Sequence, residues 1–474
     1  MNVSGLLEPQ VNHGMVLIDS LYMNGIAADL SETGCGKTHV AACIARAMNC
    51  PVIVVCPKMV MPDWEATLAA YGIKATVLIN YEKLCRGNTK FLKYRKPTDN
   101  SGHVYSTNRN KAVEKFLTAY IKFPPGSLVV LDESHKCKGM TSLNAGLMIA
   151  LKRQGYRCLL LSATQATNPL EMKAFGYVAN LHKLSDFKDF CIDYGAQWVG
   201  KWGAQYFDSD DKEAQAKMKQ CHANLFDGQK ISSRLTKEQM GDLFPENHII
   251  VKAYQMDAAG KIQSRYDWME NEIARLQEKT ENYAQHILAI IIKARREIEL
   301  LKVPTILEMI EDLYDEGKSV AVFVNFTDTI ELIVRRLKKN KKFKDTIGLI
   351  YGGQSVKDRI QDVADFNADK KRIIVANIAA GGQSINLHDL TGKHPRATII
   401  NPNYSAIQLL QTLGRIHRQG GLTKCYQRIL FAAQTREEHI CKRLNSKITN
   451  LSILNDGDMV EGMKFFRFLM GRSI

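Results

Sequence analysis

The feature that most limits what this chain can fold into is a set of short β-branched runs that do not alternate with polar residues. Residues 52–55, 128–131 and 157–161 are the clearest in the first half, and 320–324, 373–376 and 397–400 answer them in the second. A strand covered on one face alternates, whereas a strand covered on both faces does not, so these runs predict parallel strands buried between helices. Helical patterns at 40–48 and 329–338 lie between them. Strand and helix taking turns twice over predict an α/β chain with two tandem doubly wound parallel-sheet lobes. Its 474 residues, too many for one ordinary core, agree with that division.

The pattern sets the expected domains. Residues 1–180 form a first lobe, 181–301 a charged, helix-prone insertion and linker, and 302–474 a second lobe with a C-terminal tail. The longest helical pattern runs from 258 to 299. Residues 86–126, which carry RKPTDNSGHVYSTNRN, read as a long surface excursion. The apolar stretch MKFFRFLM at 463–470 is expected to pack back on a lobe.

Lys and Arg exceed Asp and Glu by 15, a balance that favours a polyanionic partner, of which nucleic acid is the commonest. The 11 cysteines include no CxxC pair, which excludes a zinc ribbon or a thioredoxin-like motif and suits a reducing compartment. The N-terminus lacks the basic start and apolar stretch of a signal peptide, and the longest apolar runs, such as 287–292, are too short to cross a bilayer. A soluble, intracellular protein is expected.

The strongest local signal is SETGCGKT at 31–38, opening the helical pattern that follows. A phosphate needs unshielded backbone N–H groups, which Gly34 and Gly36 present by tolerating unusual dihedrals, with Thr33 and Cys35 completing the loop. Lys37 is placed to reach the β- and γ-phosphates of ATP and Thr38 to ligate Mg²⁺, while the helix N-terminus favours the anion. Ser31 stands where the strict GxxxxGKT pattern has its first glycine.

LDESH at 131–135 directly follows an apolar run. A carboxylate at a strand's C-terminal end can hold Mg²⁺, the role given to Asp132, and Glu133 beside it is placed to orient and deprotonate an attacking water. His135 would couple this site to the SAT triplet, Ser162 and Thr164. In the second half, QTLGRIHR at 411–418 places Arg415 and Arg418 three residues apart, which on a helix is one face. Set across a cleft from the phosphate loop, they would stabilise charge developing on the γ-phosphate; Gln411 opens the same catalytic motif.

In their order along the chain these motifs resemble superfamily 2 helicases, and among them the compact Swi2/Snf2-type ATPases of phage, viral or bacterial kind. His417 within GRxHR is the residue that points to Swi2/Snf2. The resemblance extends to LEPQ at 7–10, VVCPK at 54–58 followed by Trp64, NYEK at 80–83, VFVNF at 322–326, YGG at 351–353 and AAGGQSINL at 379–387. It departs at Gly421, where the family's HRxGQ ending has glutamine, at Ser384, where glycine is usual, and in the longer approach through 389–396.

The resemblance implies two RecA-like lobes, adenine recognition by Gln10, and a backbone-phosphate groove touched by Lys58, Tyr81, Asn325, Gly353 and Asn386. It further implies an ATPase stimulated by DNA, duplex or single-stranded, that couples hydrolysis to movement along it. Two rival readings stay open at this point: a DExH-type RNA helicase, and a non-motor ATP-gated nucleic-acid clamp.

Overall fold

Each unbroken apolar run forms a parallel strand, and the strands sort into two sheets. In the computed structural model the described residues are 5–85, 89–94, 119–139, 142–198, 204–206, 212–228, 230–279, 284–381 and 385–456. The chain divides into two units, Met1–Gly241 with Ser446–Val460, and Asp242–Asn445 with Glu461–Ile474.

The first unit contains β1 (Ile26–Asp29), β2 (Val52–Cys56), β3 (Val77–Asn80), β4 (Leu92–Tyr94), β5 (Ala119–Ile121), β6 (Leu128–Asp132), β7 (Arg157–Leu161), β8 (Ala196–Trp198), β9 (Ala204–Tyr206) and β10 (Ser232–Ser233). Six of them make one parallel sheet in the order β10-β1-β7-β6-β2-β3, and β4-β5 and β8-β9 are antiparallel pairs beside it. Successive residues of a strand enter opposite cores. Val52, Val54 and Cys56 join Val40, Ile44 and Trp64, while Ile53 and Val55 join Leu131, Leu147 and Leu160. The crossover helix Lys37–Met48 buries Val40, Ala41, Ala42, Ile44 and Ala45 against the sheet.

This strand order builds the site. β1, β7 and β6 are neighbours, so the loops at their C-terminal ends lie side by side although the sequence separates them widely. In open α/β sheets that edge is where ligands bind.

The second unit contains β11 (Asn247–Tyr254), β12 (Ser319–Val324), β13 (Ile347–Ile350), β14 (Ile373–Asn377), β15 (Arg396–Ile400) and β16 (Cys425–Ala432), all parallel in the order β11-β16-β15-β12-β14-β13. β12 is buried along its whole length, as its apolar run requires.

The segment 181–301 is not wholly helical. It contributes an edge strand to each sheet, β10 and β11, and the division between units falls inside it, at Gly241. Two serines carry no hydrophobic pattern that would announce β10. The expected 258–299 helix is two helices, Ala259–Lys279 and Ala284–Leu301, braced by Arg265 Nε to Glu297 at 3.2 Å and by Lys293 over the Trp268 ring. Most of the 86–126 excursion and the 463–470 tail lie outside the described residues, as does Ser384. Among the described residues no helix is long and apolar enough to cross a membrane.

Candidate nucleotide site and nucleic-acid surface

The phosphate loop leaves β1 and turns into the helix Lys37–Met48. Gly34 and Gly36 take φ of 93° and 82°, the left-handed region in which a side chain is strained. A Cβ on Gly36 would stand 2.4 Å from the Gln10 amide nitrogen, so a larger residue there would displace the Gln10 amide. Lys37 Nζ donates to the carbonyls of Ser31 and Glu32 at 2.7 and 2.9 Å. Cys35 is buried, which pushes its thiol up to about 11 and leaves it unreactive near neutrality.

Ser31 explains its own departure from glycine. Its hydroxyl accepts from the Leu235 amide at 3.0 Å and lies 3.2 Å from His13 Nε2. His13 Nε2 is also 3.1 Å from the buried Asp29 carboxylate, which accepts from the Ser31 amide at 3.0 Å. Burial raises the Asp29 carboxyl, but His13 and then Lys37 outweigh it and hold the group below its ordinary value.

Gln10 lies against this loop. Its Nε2 donates to the Cys35 carbonyl at 2.9 Å and its Oε1 accepts from the Leu7 amide at 3.0 Å, at the start of the helix Glu8–Asn24. Both ends of the amide expected to read adenine are thus used within the chain, and in this geometry Gln10 braces the phosphate loop.

At the end of β6, Asp132 accepts from Trp64 Nε1 at 2.8 Å and from the Glu133 amide at 2.9 Å. Burial and then the adjacent Glu133 charge raise the Asp132 carboxyl, against the Trp64 hydrogen bond and Lys37. Glu133 has φ 52° and ψ 49°, a conformation non-glycine residues rarely adopt and one concentrated at functional sites. His135 joins the acid to the next strand: its Nδ1 is 3.2 Å from Glu133 Oε2 and 3.3 Å from Ser162 Oγ. Ser162 is fully buried at the end of β7, its amide donating to the Asp29 carbonyl at 3.1 Å and its hydroxyl accepting from the Thr164 amide at 3.2 Å. The expected coupling residues therefore stand in one continuous path from Glu133 to β1.

In the second unit, Gln411 is buried on the helix Ala406–Leu413, but that helix stops before the arginines. Arg415 and Arg418 lie in the turn beyond it, so the expectation that they share a helix face is corrected. Gly414 is the C-cap, its amide donating to the Leu410 carbonyl at 3.1 Å, and the chain then turns. Arg415 is buried and donates to the Ile385 carbonyl at 3.2 Å, whereas Arg418 is half-buried. His417 is 2.8 Å from the Pro245 carbonyl and meets the Phe244 ring edge-on. A Cβ on Gly421 would come within 3.1 Å of Pro245, and this close approach favours glycine where the family has glutamine.

The nucleic-acid candidates separate into two sets. Lys58, at the start of the short helix Lys58–Val60, Gly353, in the loop after β13, and Asn386, beyond the short helix Ile378–Gly381, are exposed. Tyr81 is not: its side chain is completely buried and its hydroxyl donates to the Asp132 carbonyl at 2.8 Å. Tyr81 is thereby corrected from a nucleic-acid contact to a brace beneath the acid pair. Asn325 is partly open, yet its Nδ2 donates to Glu299 at 2.7 Å and to the Asn401 carbonyl at 3.0 Å, tying β12 to β15.

Sequence reasoning missed the segment just past β10. Arg234 donates to the Leu30 carbonyl at 2.6 Å and the Lys237 amide to the Glu32 carboxylate at 2.7 Å, so both residues grip the phosphate loop from more than 200 positions away. No local pattern announces such a contact; only the pairing of β10 with β1 creates it.

A phosphate loop, a strand-end acid pair and a doubly wound sheet define the class of P-loop ATPases. The helicase conserved C-terminal domain matches residues 302–420. The chain is 32% identical over 475 residues to a putative ATP-dependent RNA helicase of Acanthamoeba polyphaga mimivirus, covering 97% of this chain and 85% of that protein. It is 23% identical over 450 residues to the Bos taurus SWI/SNF-related matrix-associated actin-dependent regulator of chromatin subfamily A-like protein 1, covering 92% of this chain but only 44% of that one. The solved Sulfolobus solfataricus SWI2/SNF2 ATPase core in complex with dsDNA aligns over 98% of this chain and 97% of its own at 16% identity, with a TM-score of 0.36. The chain belongs to the superfamily 2 helicases, in their Swi2/Snf2-like group. It is an ATP-hydrolysing enzyme whose activity depends on nucleic acid.

Proposed function

We propose that this enzyme is a DNA translocase that couples ATP hydrolysis to movement along the polymer. The observation that carries the proposal is the convergence at the ends of β1, β6 and β7: Lys37, the Asp132–Glu133 pair and the His135–Ser162 link.

In this reading residues 33–38 bind the phosphates of ATP, and Lys37 exchanges its two carbonyl partners for phosphate oxygens. Gln10 supports the loop from the Cys35 side; reading adenine would require its amide to exchange partners. The Thr38 hydroxyl and the Asp132 carboxylate are hard oxygen donors, the kind that hold Mg²⁺ together with substrate phosphates. When bound, that ion would neutralise charge on the β- and γ-phosphates. Glu133 orients the water and takes its proton, with His135 fixing the carboxylate. Arg415 and Arg418 are assigned to the charge that develops on the γ-phosphate, and Gln411 to the same catalytic motif. Lys58, Gly353 and Asn386, with Asn325 holding its loop, are assigned to backbone phosphates, contacts that do not read sequence.

DNA is favoured over RNA by His417 in GRxHR and by the chromatin-regulator names of the bovine and frog relatives. The excess of 15 positive charges suits either polymer. An RNA substrate is the second reading, supported by the name of the mimiviral relative. Displacement of a third strand from a triplex-bearing duplex separates them. A DNA translocase strips the strand in an ATP-dependent way that Glu133→Gln abolishes, whereas an RNA enzyme leaves the triplex intact and unwinds an RNA duplex.

A further inference from the structure

Strand β10 is only two residues long, yet pairing with the phosphate loop continues past its end. The amides of Ala28, Leu30 and Glu32 donate in turn to the carbonyls of Ile231, Ser233 and Leu235 at 2.8, 2.9 and 2.9 Å. The ladder thus leaves the sheet and runs along residues 30–32, the first arm of the loop. Side chains extend it: Ser31 Oγ accepts from the Leu235 amide, and the Glu32 carboxylate accepts from the Lys237 amide. On the far side His13 Nδ1 is 2.7 Å from Ser233 Oγ.

Arg234 is a long cation in this strap whose side chain is withdrawn from water. Its side chain is 6% exposed, and its guanidinium lies 3.8 Å from the Glu32 carboxylate while donating to the Leu30 carbonyl. Burial raises the Glu32 carboxyl, but Lys237 and Arg234 reverse that and hold it below its ordinary value. The arm gripped in this way is also the arm that holds the lysine, since the Ser31 and Glu32 carbonyls accept from Lys37 Nζ.

We propose that Arg234 is a positioning residue for ATP binding: with residues 232–237 it fixes the arm from which Lys37 reaches the phosphates. The proposal rests on the reading of residues 31–38 as the nucleotide site. Truncating Arg234 leaves the buried Leu30 carbonyl without its side-chain donor and the Glu32 carboxylate with Lys237 and Lys37 but one cation fewer, so the arm shifts to recover a partner. Lys37 then loses its fixed starting point. Glu133, His135 and Ser162 lie just past the ends of β6 and β7, across β1 from the strand that Arg234 directly follows. Nucleotide affinity should therefore fall while turnover at saturation is kept.

The test measures ATP KM and kcat, and the Kd of a fluorescent ADP analogue, for the full chain and for Arg234→Ala, Arg234→Lys, Glu32→Gln and Lys37→Ala. Arg234→Ala is expected to raise KM and Kd about fivefold or more with kcat within about twofold, the signature of lost ground-state binding. Arg234→Lys should restore most of the affinity, and Glu32→Gln should shift KM and Kd the same way by less. An unchanged KM and Kd in a folded Arg234→Ala protein, or a loss confined to kcat, overturns the proposal. If that variant does not fold, Glu32→Gln decides by the same criteria. Wild-type ATP binding by Lys37→Ala would instead overturn the nucleotide-site reading itself.

Discussion

Trp64 donates its indole N–H to the Asp132 carboxylate at 2.8 Å, joining the helix Met61–Ala70 to the end of β6. Trp64 is 1% exposed, while Asp132 is partly open. Trp64→Phe keeps most of the packing and leaves a carboxylate oxygen without its donor, a loss of about 1–3 kcal/mol. Chemical denaturation should show that loss, and the Mg²⁺ concentration giving half-maximal ATPase activity should rise. An unaltered Mg²⁺ requirement would remove Trp64 from the site.

The two arginines of the second unit differ in what a truncation measures. Arg418→Ala, at a half-buried side chain, should lower kcat by about a thousandfold while ATP still binds, the loss expected for an arginine that acts on the transferring phosphoryl group. Arg415→Ala should lose turnover as well. It should also destabilise the protein, because its buried guanidinium holds the Ile385 carbonyl. Comparison of kcat with the denaturation midpoint of each variant checks both statements.

His388 supplies a dependence on pH. Burial, followed by Arg418 and Arg396, lowers its pKa from 6.5 to about 4. The folded protein therefore binds fewer protons than the unfolded chain between those two values, and stability rises with pH across that window. Above about 6.5 the residue contributes no slope, and below about 4 the destabilisation is complete. In urea titrations from pH 7 to pH 4, His388→Gln should show a shallower acid loss than the parent. Parallel curves would contradict this.

Arg396 is fully buried at the start of β15, with its guanidinium 2.5 Å from Asp369 and 4.9 Å above the Phe366 ring. Removing one partner of a buried pair costs about 3–5 kcal/mol, because the other charge is left uncompensated. Arg396→Met should therefore unfold at markedly lower denaturant than the parent.

The sequence made the strands legible because burial on both faces writes itself as an unbroken apolar run, as in VVLD of β6 and VAVFV of β12. The phosphate loop and acid pair were legible for a chemical reason, since only glycines, a lysine and strand-end carboxylates at that spacing serve a phosphate. What stayed hidden depends on tertiary pairing. Two serines gave no sign that β10 would flank β1, so Arg234 and Lys237 could not be linked to the loop. Tyr81 was misplaced because a tyrosine reads alike at a surface and in a core until its hydroxyl finds a carbonyl, here that of Asp132. Arg415 and Arg418 kept their spacing but lost the shared face, since the helix ends at Leu413.

We propose that this site hydrolyses ATP under control of DNA. The most direct measurement is steady-state ATP turnover without polymer and with duplex DNA, single-stranded DNA and RNA, beside Lys37→Ala and Glu133→Gln. Strong stimulation by DNA is expected, lost in both variants, with Glu133→Gln still binding ATP and slowed by about a hundredfold or more. Stimulation by RNA alone, or turnover that persists in both variants, would contradict it.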